Sequence, residues 1–404
     1  MASRILTIGA SLLAVTAAAP FAPRAEQPWS PSWSSARLDV SSASGAPYTA
    51  PPSTYTPPPA APPTPSGAQL KSGDPFSFPL DNGFPTLSDA AKAVVNVLAH
   101  GTEPNGGAPT LQADDLTSIQ LIAFNEIFEV AFFTDLLFNV TNNVPGFGFQ
   151  DQNLRQTVIN ALVAIQAQEE LHADNANAIL AANHFDPIQA CKYQFPTTDL
   201  NSALTLAATF TDVVLGTLQD VQLRLAMNND DGVVPIIGSV IGQEGEQNGF
   251  FRNFVGKIPS AKPFLTRASR EFAFSALNQN FVVKGSCPNS NLINLPVFQP
   301  LTVVTNPVQP VDQLITFSVP VDKPNPPTGL SLVLINGQNI PLVEEVQNAQ
   351  VANGVATFQA NFPFTTNVLE GLTIAALTNS TGPFTSAEDV AKVTIAGPGL
   401  IEVD

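Results

Sequence analysis

The chain has 404 residues, which is enough for two domains with terminal extensions. Its formal net charge is −17 and no cluster of Lys and Arg occurs in it, which excludes nucleic acid as a partner because such binding needs a basic patch. Hydrophobic residues make up 44% and charged residues 12% of the chain, so we expect large apolar cores with few surface ion pairs.

The first two segments in chain order are not expected to belong to a core. Residues 1–19 contain one arginine, an apolar run from Ile5 and then small residues, a pattern typical of a secretory signal peptide. The run is shorter than the ~20 residues that a membrane span needs, so membrane insertion is not expected. Residues 20–75 include a proline-rich stretch and predict a disordered spacer. We therefore expect a secreted, extracellular protein.

Residues 76–290 are predicted to form a helical domain. Ser88 can cap a short first helix, because its side chain can accept a hydrogen bond from a free backbone N–H group. Longer segments with helical periodicity follow, and they lie at about 115–142, 152–183, 199–228, 233–255 and 261–281.

Residues 296–404 have a different pattern. Seven short segments rich in β-branched residues alternate with turn residues, and the pairs Asn336-Gly337 and Asn353-Gly354 fit hairpin turns. This predicts an all-β sandwich of immunoglobulin-like size that folds separately from the helical domain. The Cys…Trp…Cys core signature is absent, so the likeness concerns architecture only.

Two further features agree with an extracellular location. The chain has two cysteines, Cys191 and Cys287, and an even count in an oxidising compartment predicts one disulfide between them. Asn139 and Asn379 each begin a sequon for N-glycosylation, although such tripeptides also arise by chance.

Three of the predicted helices carry a polar pair halfway along an otherwise apolar seam. A seam that faces a bundle core repeats every three and four residues, so side chains at i and i+3 share one face. Burying four carboxylates costs several kcal/mol each, and no Lys or Arg lies on these seams to neutralise them. Two divalent cations would balance that charge. The six seam positions expected to converge inside the bundle are Glu126, Glu129, Glu169, His172, Glu244 and Gln247.

This arrangement resembles the ferritin-like di-metal bundle, in which two helices supply one Glu each and two supply Glu-x-x-His. The stretches "NEIFEVAFF", "QEELHADNA" and "GQEGEQNGFFR" are similar to secreted fungal ferritin-like proteins, described as stress-response or late-sexual-development proteins and distantly related to plant desiccation-related proteins. The resemblance covers residues 80–285. It implies a four-helix bundle with iron or manganese between its helices, and a role in stress or development at the cell wall or spore surface.

The sequence departs from that pattern at two places. Gln247 stands where the second histidine belongs, which exchanges a nitrogen donor for a neutral amide. The third long helix offers no Glu, and the nearest substitute is Asp212 on the flank of its seam, one methylene shorter than Glu.

Three hypotheses follow from these departures. In the first, the site is a hydrogen-bonded polar cluster without metal. In the second, Glu169 and His172 anchor one or two ions that bind weakly or partially. In the third, the site is a di-iron or di-manganese oxidoreductase centre that acts on peroxide or O₂. The residues narrowly favour a degenerate or weak site. They thus favour a protective or structural, non-enzymatic role, with cell-wall components or other copies of the chain as partners.

Overall fold

The computed structural model describes residues 74–106, 109–322 and 329–404. The predicted signal peptide and nearly all of the predicted spacer lie outside the described residues. Within these three ranges, no helix is both long and apolar enough to cross a membrane.

The helical region contains a short first helix, four long helices and a shorter sixth. α2 packs along α3 and α4 along α5, while α2 and α4 contact each other across the bundle. Ser88 caps α1 as predicted, and Asp199 and Ser202 form a capping box at the start of α4. The six helices are α1 (Asp89–Leu98), α2 (Ala113–Thr141), α3 (Gln152–Ala182), α4 (Leu200–Met227), α5 (Val234–Phe254) and α6 (Arg270–Asn280).

Phenylalanines fill the space between α2 and α4. The Phe128 and Phe132 rings of α2 each meet Phe210 of α4 edge to face, with ring centroids 5.2 Å and 4.9 Å apart. All three side chains are buried. Such edge-to-face pairs stabilise beyond the area that they bury, so this aromatic packing fixes the two helices against each other.

The fifth long helix is shorter than predicted. A helix was expected over residues 261–281, but α6 begins only at Arg270. The preceding residues form hydrogen bonds with the β region instead. The Thr266 hydroxyl donates to the carbonyl of Leu372, and the Arg267 N–H donates to the carbonyl of Gly337. Backbone and side-chain groups used in this way are not free for a helix, so the first part of that prediction was wrong.

The C-terminal region consists of two antiparallel four-stranded sheets, in the orders β1-β2-β6-β5 and β4-β3-β7-β8. This order matches an immunoglobulin-like sandwich in which one additional strand extends the second sheet, and it confirms the predicted fold class. The fifth strand was not predicted. The strands are β1 (Thr302–Val303), β2 (Gln313–Pro320), β3 (Ser331–Asn336), β4 (Leu342–Glu345), β5 (Gln347–Ala352), β6 (Val355–Phe362), β7 (Gly371–Thr378) and β8 (Thr394–Val403), with short helices α7 (Phe364–Asn367) and α8 (Ala387–Ala391) on either side of β7.

The predicted Asn353-Gly354 turn joins β5 to β6. Ala352 pairs with Val355, so the loop has two residues, and both of them have positive φ, 53° for Asn353 and 76° for Gly354. These are the backbone angles of a type I′ hairpin turn, which Asn and Gly adopt most readily.

The two central strands of the second sheet, β3 and β7, are buried on both faces. Along β3, Val333 and Ile335 belong to the same hydrophobic core as the helical bundle, whereas Leu332 and Leu334 belong to the core between the two sheets. β7 alternates in the same way, with Ile374 on the bundle side. The described part of the chain therefore has three layers, helices, sheet and sheet, and the helical and β regions share a core that the sequence analysis did not predict.

The two cysteines form the predicted disulfide. Cys191 lies in the connection between α3 and α4, and Cys287 follows α6, 96 positions later. The disulfide therefore joins the segment before α4 to the segment after α6.

The two sequons lie in different surroundings. Asn139 is half-buried within α2, and its amide nitrogen donates to Asp135 Oδ2 at 2.9 Å. Asn379 is exposed directly after β7. Glycan attachment needs an accessible amide nitrogen, so the predicted modification is better accommodated at Asn379.

Candidate metal centre

Three helices bring four metal-ligating side chains together. Glu126 comes from α2, Glu169 and His172 from α3, and Glu244 from α5, and each offers one ligand atom that lies within 4.8 Å of the others. The three carboxylates are buried, whereas the imidazole retains 17% exposure. The i, i+3 spacing on α3 directs both of its side chains to one face, as the seam pattern predicted.

His172 lies between two of the carboxylates. Its Nδ1 atom is 2.8 Å from Glu169 Oε2 and 3.4 Å from Glu126 Oε2. Burial alone would lower the pKa of His172, but the negative charges of Glu169 and Glu126 outweigh burial and raise it well above its ordinary value. The same Nδ1 atom is therefore held where the carboxylate oxygens converge.

Glu244 and Glu129 carry buried oxygens that lack partners. Neither carboxylate oxygen of Glu244 has a hydrogen-bond partner among the described residues. Glu129 Oε1 accepts from the Asn125 amide at 2.8 Å, while its Oε2 has no partner there. Buried oxygens without hydrogen bonds are costly, so these atoms are candidates for contact with a proton or a cation.

The carboxylates also raise one another's pKa. Burial, together with the charge of Glu169, raises the pKa of Glu126 to about 7 against the opposing charge of His172. Burial and neighbouring carboxylates raise the pKa of Glu129 and of Glu244 well above the ordinary value. A divalent cation would reverse this repulsion, because positive charge favours the ionised carboxylates.

Gln247 is buried at the centre, where its amide nitrogen and its amide oxygen have different surroundings. Its amide nitrogen donates to Glu169 Oε1 at 2.7 Å and to Gln168 Oε1 at 3.2 Å. The nitrogen therefore orients Glu169, whereas the amide oxygen, Oε1, has no hydrogen-bond partner among the described residues and could ligate a cation.

Asp212 lies outside the group of converging donors. Its Oδ1 atom accepts from the Asn248 amide at 3.0 Å. Burial raises its pKa to about 6, opposed by the nearby charge of Arg252. On α4 the side that faces the cavity beside the centre presents the apolar Leu218, so this helix supplies no donor to the group.

The other two histidines occupy helix ends. His100 follows α1 and His184 follows α3, with φ of 59° and 63°, the left-handed conformation common just after a helix. Neither is part of the converging group.

Sequence reasoning missed two supporting residues. Asn125 holds Glu129, and Gln168 accepts from Gln247. Asn125 could have been found from its i, i+4 spacing to Glu129, whereas Gln168 precedes Glu169 and contacts α5 only through the tertiary packing.

The donor set fits a divalent transition-metal ion. Three carboxylates and one imidazole are oxygen and nitrogen ligands of the kind that manganese and iron take in proteins. Both oxygens of Glu244 lack a hydrogen-bond partner among the described residues, so both are available to bind such an ion.

Comparison with known families agrees with this geometry. Residues 114–257 match the family model of the ferritin-like domain, a range that covers α2 to α5 and all four donors. No curated protein matches the chain. The helical region therefore contains a ferritin-like domain, and the closer resemblance to the fungal secreted proteins stays a hypothesis.

Proposed function

We propose that the ferritin-like domain binds a divalent transition-metal ion through Glu126, Glu169, His172 and Glu244. The observation that carries this proposal is the Glu244 carboxylate, whose two buried oxygens have no hydrogen-bond partner among the described residues. In a degenerate polar cluster these oxygens would be paired, because an unpaired buried carboxylate is strongly unfavourable. The geometry therefore supports metal binding over the alternative of a hydrogen-bonded polar cluster without metal.

We further propose that one ion is held much more tightly than a second, and that it is iron or manganese. The nitrogen ligand comes from His172 on one side of the centre, whereas Gln247 on the opposite side donates a hydrogen bond to Glu169. Glu129 is the remaining carboxylate for a second ion, and one of its two oxygens already accepts a hydrogen bond from Asn125.

The bound ion would supply one-electron redox or Lewis-acid chemistry. The residues of the chain hold and orient the ligands, with Gln247 on Glu169 and Asn125 on Glu129. A two-metal oxidoreductase is less well supported, since the second nitrogen ligand is replaced by Gln247. We therefore favour metal binding in a protective or structural protein over turnover.

We also propose that the protein acts outside the cell, in stress or development, at the cell wall or spore surface. The disulfide between Cys191 and Cys287 supports an oxidising compartment. Cell-wall components or further copies of the chain are the proposed partners.

The test is a calorimetric titration of metal-free protein with Mn²⁺ and, without oxygen, with Fe²⁺. Glu244→Gln keeps the side-chain size but removes the charge, and we expect it to weaken binding at least about tenfold. Glu246→Gln is the matched control, because Glu246 lies exposed on the same helix and outside the centre. Equal affinity in wild type and Glu244→Gln, or no binding in wild type, would refute the proposal.

A further inference from the structure

A cavity of about 540 Å³ opens beside the proposed metal centre. Its outer end lies between the segment that follows α1 and the start of α5, where Thr102, Pro235 and Ser239 are exposed. At its inner end it reaches Glu126 and His172, two of the four proposed ligands. The cavity therefore connects the surface of the helical region with the centre.

The charges along this cavity favour a cation. Among the described residues that line it there is no Lys or Arg, and the ionisable ones are Glu103, Glu126 and His172. Glu103 and Asp174 share the ammonium group of Lys92, at 2.6 Å and 2.7 Å, so the three side chains together retain one negative charge. Because Glu103 belongs to the exposed segment that follows α1, this charge attracts cations from solvent and repels anions.

Two oxygens along the cavity have no hydrogen-bond partner among the described residues. They are Glu103 Oε1 and Gln243 Oε1, and both residues line the cavity. An amide oxygen does not take up a proton at ordinary pH, so Gln243 Oε1 is complemented by a donor group or by a cation. A divalent ion does this directly or through a water molecule of its hydration shell, because carboxylate, carbonyl and water oxygens are usual ligands of such ions.

The orientation of the Gln243 amide is fixed by its neighbours. Gln168 donates through Nε2 to the carbonyl of Ala99 at 3.4 Å, which leaves its Oε1 atom as an acceptor. This oxygen accepts from the amide nitrogens of Gln243 at 2.9 Å and of Gln247 at 3.2 Å. Because a backbone carbonyl cannot donate, the direction of this series is set, and the oxygen of Gln243 stays the unpartnered end of its amide.

Gln243 lies between the surface and the centre along α5. It follows the exposed Ser239 by about one helical turn and directly precedes the proposed ligand Glu244. Neither Gln243 nor Glu103 belongs to the group of converging donors. Their oxygens thus offer an ion two contacts outside the centre. Separate weak contacts suit passage, because an ion must bind well enough to enter and weakly enough to leave.

We propose that this cavity is the route by which the divalent ion enters and leaves the centre, with Glu103 and Gln243 as transient ligands on the way. The inference rests on the proposed metal binding and adds to it the path of the ion and two residues outside the centre. A residue that contacts the ion only during passage changes the barrier and not the bound state. It therefore changes the rates of uptake and release by the same factor and leaves the dissociation constant unchanged.

The first experiment measures both rates by stopped flow with a fluorescent chelator that Mn²⁺ quenches. Metal-free protein competes with the chelator for uptake, and excess chelator captures the ion released from loaded protein. Gln243→Leu removes the amide oxygen at similar size, and we expect it to slow uptake and release about tenfold each, with less than about a twofold change in the dissociation constant. Gln156→Leu is the matched control, because Gln156 is exposed on α3 and lies outside the cavity.

A second variant narrows the outer end of the cavity. Ser239 is exposed, so Ser239→Trp enlarges a side chain at the rim and leaves the hydrophobic core unchanged. We expect uptake and release to slow at least about tenfold by the same factor. Asn253→Trp is the control, because Asn253 is exposed on the same helix outside the cavity. Wild-type rates in Ser239→Trp would overturn the route, and wild-type rates in Gln243→Leu would overturn the role of Gln243.

A third variant tests the charge at the outer end. We expect Glu103→Gln to slow uptake at least about threefold at low ionic strength, and the difference from wild type should shrink in high salt because salt screens the attraction. Glu246→Gln removes the same charge from an exposed position outside the cavity and is the matched control. Equal uptake rates in these two variants would overturn the role of Glu103.

The same measurements separate this inference from the proposed function. Wild-type protein that binds no Mn²⁺, or that binds it no more tightly than Glu244→Gln does, would refute the proposed function. Tight binding that depends on Glu244, together with wild-type rates in both Gln243→Leu and Ser239→Trp, would refute only the entry route. A weaker affinity of Gln243→Leu at an unchanged uptake rate would make Gln243 part of the bound site and would also contradict the inference.

Discussion

Glu169 and Glu244 differ in how firmly the protein holds them. Both oxygens of Glu169 are engaged, one by His172 Nδ1 at 2.8 Å and one by Gln247 Nε2 at 2.7 Å. Neither oxygen of Glu244 is engaged among the described residues. At the scale of residues, α3 thus presents a preorganised pair of candidate ligands, and α5 presents a carboxylate whose burial either a proton or a cation would compensate.

The first residue-scale prediction concerns His172. We expect His172→Ala to weaken Mn²⁺ binding at least about tenfold, because it removes the nitrogen ligand of the centre. His184→Ala is the control, since His184 lies at a helix end outside the group. Titration calorimetry on both variants measures the difference, and equal affinities would contradict the assignment.

The second concerns pH. The pKa of Glu126 is raised to about 7, and burial raises the pKa of Glu129 and of Glu244 well above the ordinary value of 4.5. A raised folded-state pKa means that the folded protein holds protons that the unfolded chain releases, so this contribution to stability is present below the unfolded pKa and is lost as pH rises through the folded pKa. Metal-free protein should therefore lose stability from about pH 5 to at least about pH 7, because the unfolded chain releases these protons while the folded protein retains them.

The measurement is the thermal unfolding midpoint of chelator-treated and Mn²⁺-loaded protein across this pH range. The stabilisation given by Mn²⁺ should grow with pH, because metal binding needs deprotonated carboxylates. Glu244→Gln should show a smaller decline in the metal-free state. A midpoint of the metal-free protein that rises over the same range would show that these carboxylates do not control it.

At the scale of elements, the helices supply unequal halves of the centre. α3 supplies a Glu and a His, whereas α5 supplies Glu244 and the hydrogen-bond donor Gln247. α4 supplies no donor, because Asp212 pairs with Asn248 away from the group. This asymmetry is the reason for expecting one tightly held ion.

Restoring the missing nitrogen ligand tests that asymmetry. We expect Gln247→His to raise the number of tightly bound Mn²⁺ ions from one to two, because a second imidazole would share one face of α5 with Glu244. Asn253→His is the control, since Asn253 is exposed on the same helix. Metal analysis after gel filtration gives the stoichiometry, and one ion per chain in both variants would contradict the argument.

The disulfide is the second element-scale feature. It closes a loop of 96 residues between Cys191 and Cys287, and removal of such a cross-link costs about 2 to 4 kcal/mol. Denaturant unfolding of the Cys191→Ser, Cys287→Ser protein should show this loss. A reducing agent should then have no further effect on that variant, and an unchanged midpoint relative to wild type would contradict the prediction.

At the scale of the whole molecule, the sheet β4-β3-β7-β8 contributes side chains to two hydrophobic cores. Val333 and Ile374 pack into the core of the bundle, while Leu332 and Leu377 pack against the other sheet. Sharing one sheet between two cores couples the helical and β regions. An isolated segment 291–404 would expose the bundle side of this sheet, and we expect it to be much less stable than in the full chain.

Ile374→Ala tests this coupling. Ile374 is fully buried on the bundle side, so the truncation should cost about 2 to 5 kcal/mol and lower the unfolding midpoint of helices and strands together. Ile340→Ala is the control, because Ile340 is 70% exposed and should change stability by less than about 0.5 kcal/mol. Circular dichroism in denaturant follows both regions, and separate transitions would contradict a shared core.

The sequence by itself determined the periodic features of this protein. The 3- and 4-residue spacing predicted α2 to α5 and placed Glu126, Glu169 and Glu244 on inward-facing seams, because helical geometry fixes which side chains share a face. Period-2 segments and the Asn353-Gly354 turn predicted the β region, since only certain residues adopt positive φ readily.

The tertiary structure decided the features that depend on a partner segment. Gln247 donates a hydrogen bond to Glu169, and this bond forms only because α3 packs against α5. α6 begins at Arg270 and not at the predicted residue 261, because the preceding residues form hydrogen bonds with the β region. The contiguous apolar run of β7 signals burial on both faces, but which core covers each face is a long-range contact, and local periodicity carries no information about it.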